Sequence, residues 1–482
     1  MSTLLHLNRN RQALSRSIVY MILVAIPAIA DKGQGAGSPF QSAPVIAEVT
    51  ELTLVEVREQ AEGVFLVRAM AAEHPLPAAP QPLPTGRPPQ RSQRITVPLS
   101  GTPRSVRITA SPAAAAGTIS LVTAGIFRGL TLAAVEYISS TDYSTATGVA
   151  HTLEFEILSD PPAADSQPKL SPATLRVLSQ LTGIPLASLA ADYSWYERDH
   201  LLVIAPDSLA AALAPLVSWK RRTGLEVTIV PLSVSGGTTD SIKSFLVQAY
   251  ETWERPPTFV LLAGDTGQIP AWLGQHNPDP TAPGSYPTDL YYGTLDGPDD
   301  LIPDLFIGRL PARSRDELVA MVNKLLTYEL TPTDQLDWRS RAVFVASGEE
   351  NLHQLVENTH RYAISSYLAP AGLQVDSIWA YSGGNTSDIV SALNSGVNLL
   401  CYSGHGTADL WWDSYPAIYF GRPQIDNLAN APAFPLVLSF GCKAGIYGAD
   451  DLSLGEAFVQ AGNRGAAVFW GASHPTFWYE DD

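Results

Sequence analysis

Two short segments of this 482-residue chain place acyl-transfer chemistry at strand ends. The apolar run Val397-Asn-Leu-Leu-Cys-Tyr402 leads straight into Ser403-Gly-His405-Gly-Thr407, and Pro435-Leu-Val-Leu-Ser-Phe440 leads straight into Gly441-Cys442-Lys-Ala-Gly445. Neighbouring strands lie roughly 5 Å apart, or about 10 Å with one strand between, so an imidazole and a thiol so placed can face one cleft. The imidazole can take the thiol proton, and the thiolate is the form that attacks a carbonyl. Flanking glycines let backbone N–H groups approach a substrate, as an oxyanion hole requires. His405 is the only one of nine histidines in such a setting. The second cysteine, Cys401, lies inside an apolar strand and reads as a small buried hydrophobe.

The elements that must position these residues begin near residue 200. Leu201-Leu-Val-Ile-Ala205, Glu226–Val230 and Thr258–Leu262 read as buried strands, with helical patterns at 208–222 and 241–253. Ser314-Arg-Asp-Glu317 is a capping box opening a helix to about Tyr328. Strands at 341–346, 375–379, 397–402, 435–440 and 466–470 alternate with helices at 350–369, 387–394 and 453–462. Such alternation predicts an α/β sandwich with a mostly parallel sheet. Functional residues then gather beyond the carboxyl ends of its strands.

The N-terminal third reads differently. Residues 43–157 carry β-branched runs at Val45–Val55, Gly63–Val67, Arg94–Val97, Ser105–Thr109 and Thr152–Ile157, separated by turn residues. An antiparallel β-sandwich is expected there, with the Pro-rich stretch His74–Pro89 as an exposed loop. The segment 158–199 reads as a Pro-rich linker with short helices.

Residues 1–30 read as a signal peptide. Arg9, Arg11 and Arg16 precede the apolar run Ile18–Ile26, Ala28-Ile-Ala30 supplies small cleavage-site residues, and 31–42 is a Gly/Ser-rich tether. The apolar run is too short to span a bilayer and no later segment qualifies, so a secreted or cell-surface product without stable membrane insertion is expected. Removing the three arginines would take the net charge from −17 to −20. A chain this acidic lacks the basic surface that nucleic acid requires. Two cysteines exclude a disulfide framework and a Cys-rich metal site.

The blocks around His405 and Cys442, together with Leu262-Ala-Gly-Asp265, Thr288–Gly293, Asp304–Arg309 and Val343–Glu349, resemble peptidase family C25 over roughly 200–482. These are the gingipain-like cysteine peptidases of the caspase–legumain clan. The resemblance implies a caspase-like fold and a cysteine endopeptidase acting on proteins or peptides, with no catalytic cofactor. It implies Cys442 as nucleophile, His405 as general base and acid, and the N–H groups of Gly406 and Cys442 as the oxyanion hole. Glu349, or Glu350 next to it, stands where the family places an acid beside the histidine. The pocket wall is expected from Gly471–Pro475, Ser473 among them, and from Trp478. Arginine-specific relatives carry an acid in the primary pocket, and no counterpart aligns within Glu350–Arg361. The N-terminal module resembles a propeptide, which makes it a candidate inhibitor of its own enzyme. Asp289, Asp296, Asp299, Asp300 and Asp304 could bind structural calcium, as relatives do, or form an acidic surface turn, since their spacing fits no EF-hand. Two other readings share the fold: a transpeptidase that passes the acyl group to an amine, and a non-catalytic scaffold.

Overall fold

The computed structural model describes residues 52–61, 64–71, 92–99, 103–110, 117–139, 151–160, 168–274, 286–297, 301–332, 337–413, 417–449 and 451–476. They fall into two compact units. One comprises the residues up to Asp199 together with Thr294–Asp304; the other comprises His200–Gly293 and the chain from Leu305 onward.

The N-terminal unit holds seven strands: β1 (Leu52–Ala61), β2 (Val64–Ala71), β3 (Ser92–Leu99), β4 (Pro103–Ala110), β5 (Gly117–Phe127), β6 (Leu130–Ser139) and β7 (His151–Ser159). They form two antiparallel sheets, β1-β2-β7-β4 and β3-β6-β5. Val67, Phe155 and Ile157 from the first sheet share one core with Ile95, Val97, Leu99, Val135 and Tyr137 from the second, which makes the unit a sandwich. The described part of the first strand runs from Leu52, and the expected start at Val45 lies outside the described residues. The hairpin β5–β6 was not legible as strands, because Ala and Gly dilute its β-branched residues. Its turn was the missed signal. Arg128 and Gly129 both take positive φ, 55° and 84°, as a two-residue hairpin turn of the primed kind requires.

The expected linker 158–199 is in part a packed element of this unit. The helix Pro172–Thr182 buries Ala173, Leu175, Val177 and Leu178, and Asp199 accepts the Ala173 N–H at 2.9 Å. The signal peptide, the tether and the His74–Pro89 loop lie outside the described residues.

The larger unit carries two parallel sheets where one was expected. The alternation of strand and helix predicts parallel pairing but not how many sheets result. The first sheet orders β13 (Phe306–Leu310), β10 (Phe259–Ala263), β8 (His200–Ala205) and β9 (Glu226–Pro231). A short hairpin joins β11 (Trp272–Gly274) to β12 (Tyr286–Thr288). The predicted capping box opens the helix Arg315–Leu330, with the Glu317 N–H donating to Ser314 Oγ at 3.3 Å. The second sheet then follows in the order β15 (Gln374–Trp379), β14 (Arg341–Ala346), β16 (Leu399–Ser403), β20 (Leu436–Phe440), β21 (Val468–Gly471), all parallel. Between β16 and β20 lies a small antiparallel sheet of β17 (His405–Gly406), β18 (Leu410–Trp412) and β19 (Tyr419–Gly421).

Side chains alternate across the second sheet, so each strand feeds two apolar layers. Val343, Val345, Leu400, Tyr402 and Val437 pack with Ile389, Leu393, Trp411 and Phe458. Ala342, Phe344, Leu399, Cys401 and Leu436 pack on the opposite face against Ala363, Ile364 and Leu368. Each fully buried large side chain contributes about 1.5–3 kcal/mol. The chain leaves β14 outward to β15 and returns on the other side at β16, so the carboxyl ends of β14 and β16 flank the point where the winding reverses. A crevice opens at such a point, which is where α/β sheets bind ligands. No helix among the described residues is long and apolar enough to cross a membrane.

Candidate active site

Four adjacent strands deliver their carboxyl ends to one place. β14 ends in Ser347-Gly348-Glu349, β16 in Gly404-His405, β20 in Gly441-Cys442, and β21 in Ala472–Thr476. Cross-strand bonds continue past the strands and hold these turns in register. The Ser347 N–H donates to the Ser403 carbonyl at 3.0 Å, and the Gly404 N–H to the Phe440 carbonyl at 3.1 Å. The Lys443 N–H donates to the His474 carbonyl at 3.1 Å, and the Gly445 N–H to the Ala472 carbonyl at 2.9 Å. Because β16 and β20 are direct neighbours, the shorter of the two expected strand separations applies to His405 and Cys442.

His405 Nε2 lies 3.0 Å from Glu349 Oε2, with both side chains 28% exposed. A carboxylate can only accept, so Nε2 carries the proton and the lone pair of the neutral ring sits on Nδ1. Trp412 stacks on the imidazole, centroids 4.6 Å apart and planes 17° off parallel. The Tyr402 hydroxyl bridges the carbonyls of His405 (2.7 Å) and Trp412 (3.1 Å). Glu349 therefore faces the histidine, and it is not the helix-terminal acid it could have been, since the next helix begins only at His353. Glu350 is exposed.

Cys442 is half-buried. Its Sγ receives the Thr476 N–H at 3.4 Å and lies 3.4 Å from the Thr476 carbonyl. Gly406 sits against this turn so closely that a Cβ there would lie 2.7 Å from the Cys442 carbonyl oxygen and 3.1 Å from the Cys442 nitrogen. Ser473 is half-buried on the β21 exit; Trp478 lies outside the described residues.

A second Cys/His pair lies close by. Cys401 Sγ is 3.9 Å from His360 Nε2, which also bonds Ser403 Oγ at 2.9 Å. Burial decides its character. It pushes the Cys401 thiol up to about 12 and the His360 imidazole down to about 4, so both stay neutral near neutrality. His360 carries a stability prediction. Its folded value lies below the ordinary 6.5, so the unfolded chain binds the extra proton first. The stability it contributes is complete above about pH 6.5 and is lost as pH falls toward 4, by up to roughly 3 kcal/mol. Equilibrium unfolding across pH 7 to 4 should steepen in that window for the native chain and flatten in His360→Gln. A flat native profile contradicts it.

Among the described residues the aspartates do not come together as a metal site. Asp289 is clamped by Arg309, Nε–Oδ2 and Nη2–Oδ1 both at 2.8 Å. Asp304 belongs to the other unit, where its two oxygens accept the N–H groups of Arg128 (2.7 Å) and Leu295 (3.1 Å). Asp299 and Asp300 lie outside the described residues, and among those described no three His, Cys, Asp or Glu side chains form a metal cluster. The calcium expectation thus finds no support in the residues seen. Proximity in sequence is a poor guide here because Asp289 and the segment Thr294–Asp304 belong to different units.

Sequence reasoning missed Tyr402, Trp412, Asp413 and Thr476. Asp413 is 3% exposed, accepting the Gly348 N–H at 2.5 Å and the Ser347 hydroxyl at 3.1 Å. The signal available was Trp411-Trp412-Asp413, an aromatic pair ending in an acid a few residues after His405.

A parallel sheet layered by helices, with a histidine and a cysteine at adjacent strand ends, is the caspase-like α/β architecture. The model of Peptidase family C25 matches residues 195–481, and the chain belongs to that family. Among curated relatives, Lys-gingipain of Porphyromonas gingivalis is 27% identical over 288 residues, 58% of this chain and 16% of the relative. Gingipain R2 of the same organism is 28% identical over 277 residues, 56% of this chain and 35% of the relative. The chain thus spans 16 to 35% of the length of these relatives. The solved structure titled as the Arg-specific cysteine proteinase gingipain R aligns with TM-score 0.52 at 24% identity, covering 59% of this chain and 64% of that one. A complex of Porphyromonas gingivalis pro- and mature domains aligns with TM-score 0.51 at 24% identity, covering 58% and 65%. These two likenesses show the fold.

Proposed function

We propose that this chain is an exported cysteine endopeptidase that cleaves protein substrates through an acyl-enzyme. The observation that carries the reading is the His405–Glu349 bond at the mouth of the sheet, one strand away from the half-exposed Cys442. In the proposed cycle Nδ1 of His405 takes the thiol proton, and the Cys442 thiolate adds to the scissile carbonyl. The N–H groups of Gly406 and Cys442 donate to the developing oxyanion; the close packing of their backbones supports this pairing. His405 then protonates the leaving amine, and water, activated by the same imidazole, breaks the thioester. Glu349 stabilises the imidazolium and holds the ring in the productive tautomer. The chemistry uses the protein's own thiol and takes no catalytic cofactor. Ser473 and Trp478 would line the substrate channel.

Hydrolysis and transfer differ only in the acceptor. Peptide digestion followed by mass spectrometry, with and without an added amine, should yield free carboxyl termini in both cases; products carrying the amine would instead indicate a transpeptidase. The proposed localisation is outside the cytoplasm, on the charge and cleavage pattern of residues 1–30.

The N-terminal sandwich is proposed as a latency module, because a tethered inhibitor acts at high effective concentration. Ala191, Asp192, Ser194, Trp195, Glu197 and Arg198 are exposed, which suits processing there. Cleavage within 185–198 should raise peptidase activity at least tenfold, and the isolated module should inhibit the processed enzyme in trans. Full activity in a chain shown intact by mass spectrometry would make the module a permanent accessory.

A further inference from the structure

The β17–β18 hairpin and the residue after it reach the His405 ring and the turn that leads into Glu349. Trp412, in register with His405 across the hairpin, stacks on the imidazole face. The next residue, Asp413, binds Ser347 and Gly348 of that turn. Its buried carboxylate accepts the Gly348 N–H at 2.5 Å and the Ser347 hydroxyl at 3.1 Å. Ser347 Oγ in turn accepts the Glu349 N–H at 3.4 Å. A carboxylate that binds two consecutive residues of a turn, and reaches the third through a relay hydroxyl, is a clamp on that turn. Nothing in strand β14 requires an acid there, since Ser347 is already bonded to β16 through its backbone. A buried carboxylate costs several kcal/mol of desolvation unless its oxygens are satisfied, and two donors that reach it belong to the segment carrying Glu349.

We propose that Asp413 is a positioning residue: through Ser347 and Gly348 it holds the Glu349 carboxylate against His405. The proposal rests on the functional reading of His405 and Cys442 given above. An uncharged amide can keep the Gly348 N–H on its oxygen, but it turns an N–H toward the Ser347 hydroxyl, reverses that bond and removes the charge that strengthened both. The turn then loosens, Glu349 leaves the imidazole, and the imidazolium loses its stabilising charge.

The test is a double-mutant cycle with two readouts, peptidase kcat/KM and the rate of Cys442 alkylation by iodoacetamide across pH 5–9. Asp413→Asn should lower kcat about tenfold with KM nearly unchanged, and should move the alkylation pH profile in the same direction as Glu349→Gln. The double variant should be no worse than Glu349→Gln within about twofold, because both act through one contact. Additive losses, or a wild-type pH profile in Asp413→Asn, overturn the proposal. If Asp413→Asn melts far below the wild type, Ser347→Ala replaces it. That variant removes the relay hydroxyl alone: non-additivity with Glu349→Gln supports the clamp, and additivity overturns it. Alkylation is read without any substrate, so a chain without peptidase turnover refutes the functional reading while the cycle still decides on Asp413.

Discussion

Cys442→Ala and His405→Ala should each abolish peptide turnover, by roughly 10⁶-fold in kcat, while Cys401→Ala stays within a few-fold of wild type. A nucleophile and its base act as one unit, so removing either costs nearly as much as removing both, and the double variant should lose nothing further. The contrast with Cys401 is the informative part, because that thiol also has a histidine 3.9 Å away. Contact alone therefore does not make a nucleophile. Cys401 packs with Phe344 and Leu436 on the helix-covered face, where burial keeps its proton on, and His360 is equally desolvated. Cys442 stands beyond its strand, half-buried, with the Thr476 N–H at its sulfur. Circular dichroism and unfolding midpoints near wild type in all three variants would show that the fold survives. Normal turnover in Cys442→Ala would remove the nucleophile from the account.

Gly406→Ala should be nearly as damaging through sterics alone. The added methyl would lie 2.7 Å from the Cys442 carbonyl oxygen, 3.0 Å from the Gly441 carbonyl carbon and 3.1 Å from the Cys442 nitrogen. These are backbone atoms, and they cannot swing aside as a side chain does. Either the β17 hairpin or the Gly441–Cys442 turn must move, and the two N–H groups proposed to bind the oxyanion move apart. Losing one such donor costs about 10²–10³ in kcat, roughly 3–4 kcal/mol. The loss should fall on kcat with KM little changed, since the donors meet the transition state rather than the bound peptide. Gly237→Ala is the control, because a Cβ there meets nothing within 4 Å. Wild-type kcat in Gly406→Ala would show that this backbone contact takes no part in the reaction.

The catalytic sheet was legible almost residue by residue. Buried parallel strands read as continuous apolar runs, and Arg341–Ala346, Leu399–Ser403 and Leu436–Phe440 all lie within a residue or two of where those runs placed them. The strand-end positions of His405 and Cys442 were legible for a related reason, since each follows such a run, whereas Glu349 was indicated only by the family resemblance. The split into two sheets was not, because strand alternation carries no information about which strands pair. Trp412 and Asp413 were illegible because β17–β18 has only two and three residues, too short for any periodicity. Their importance comes from a stack and a carboxylate clamp that exist only once the hairpin folds back over Glu349. The acidic run 289–304 erred in the opposite direction. Close in sequence, Asp289 and Asp304 are taken by Arg309 and Arg128 in different units.

The most direct measurement is mass spectrometric mapping of a thiol-directed peptidyl probe on the processed protein. The account predicts covalent labelling at Cys442 alone, lost in Cys442→Ala, strongly slowed in His405→Ala and retained in Cys401→Ala. Labelling that ignores the His405 substitution, or that falls on Cys401 in the folded chain, would contradict it.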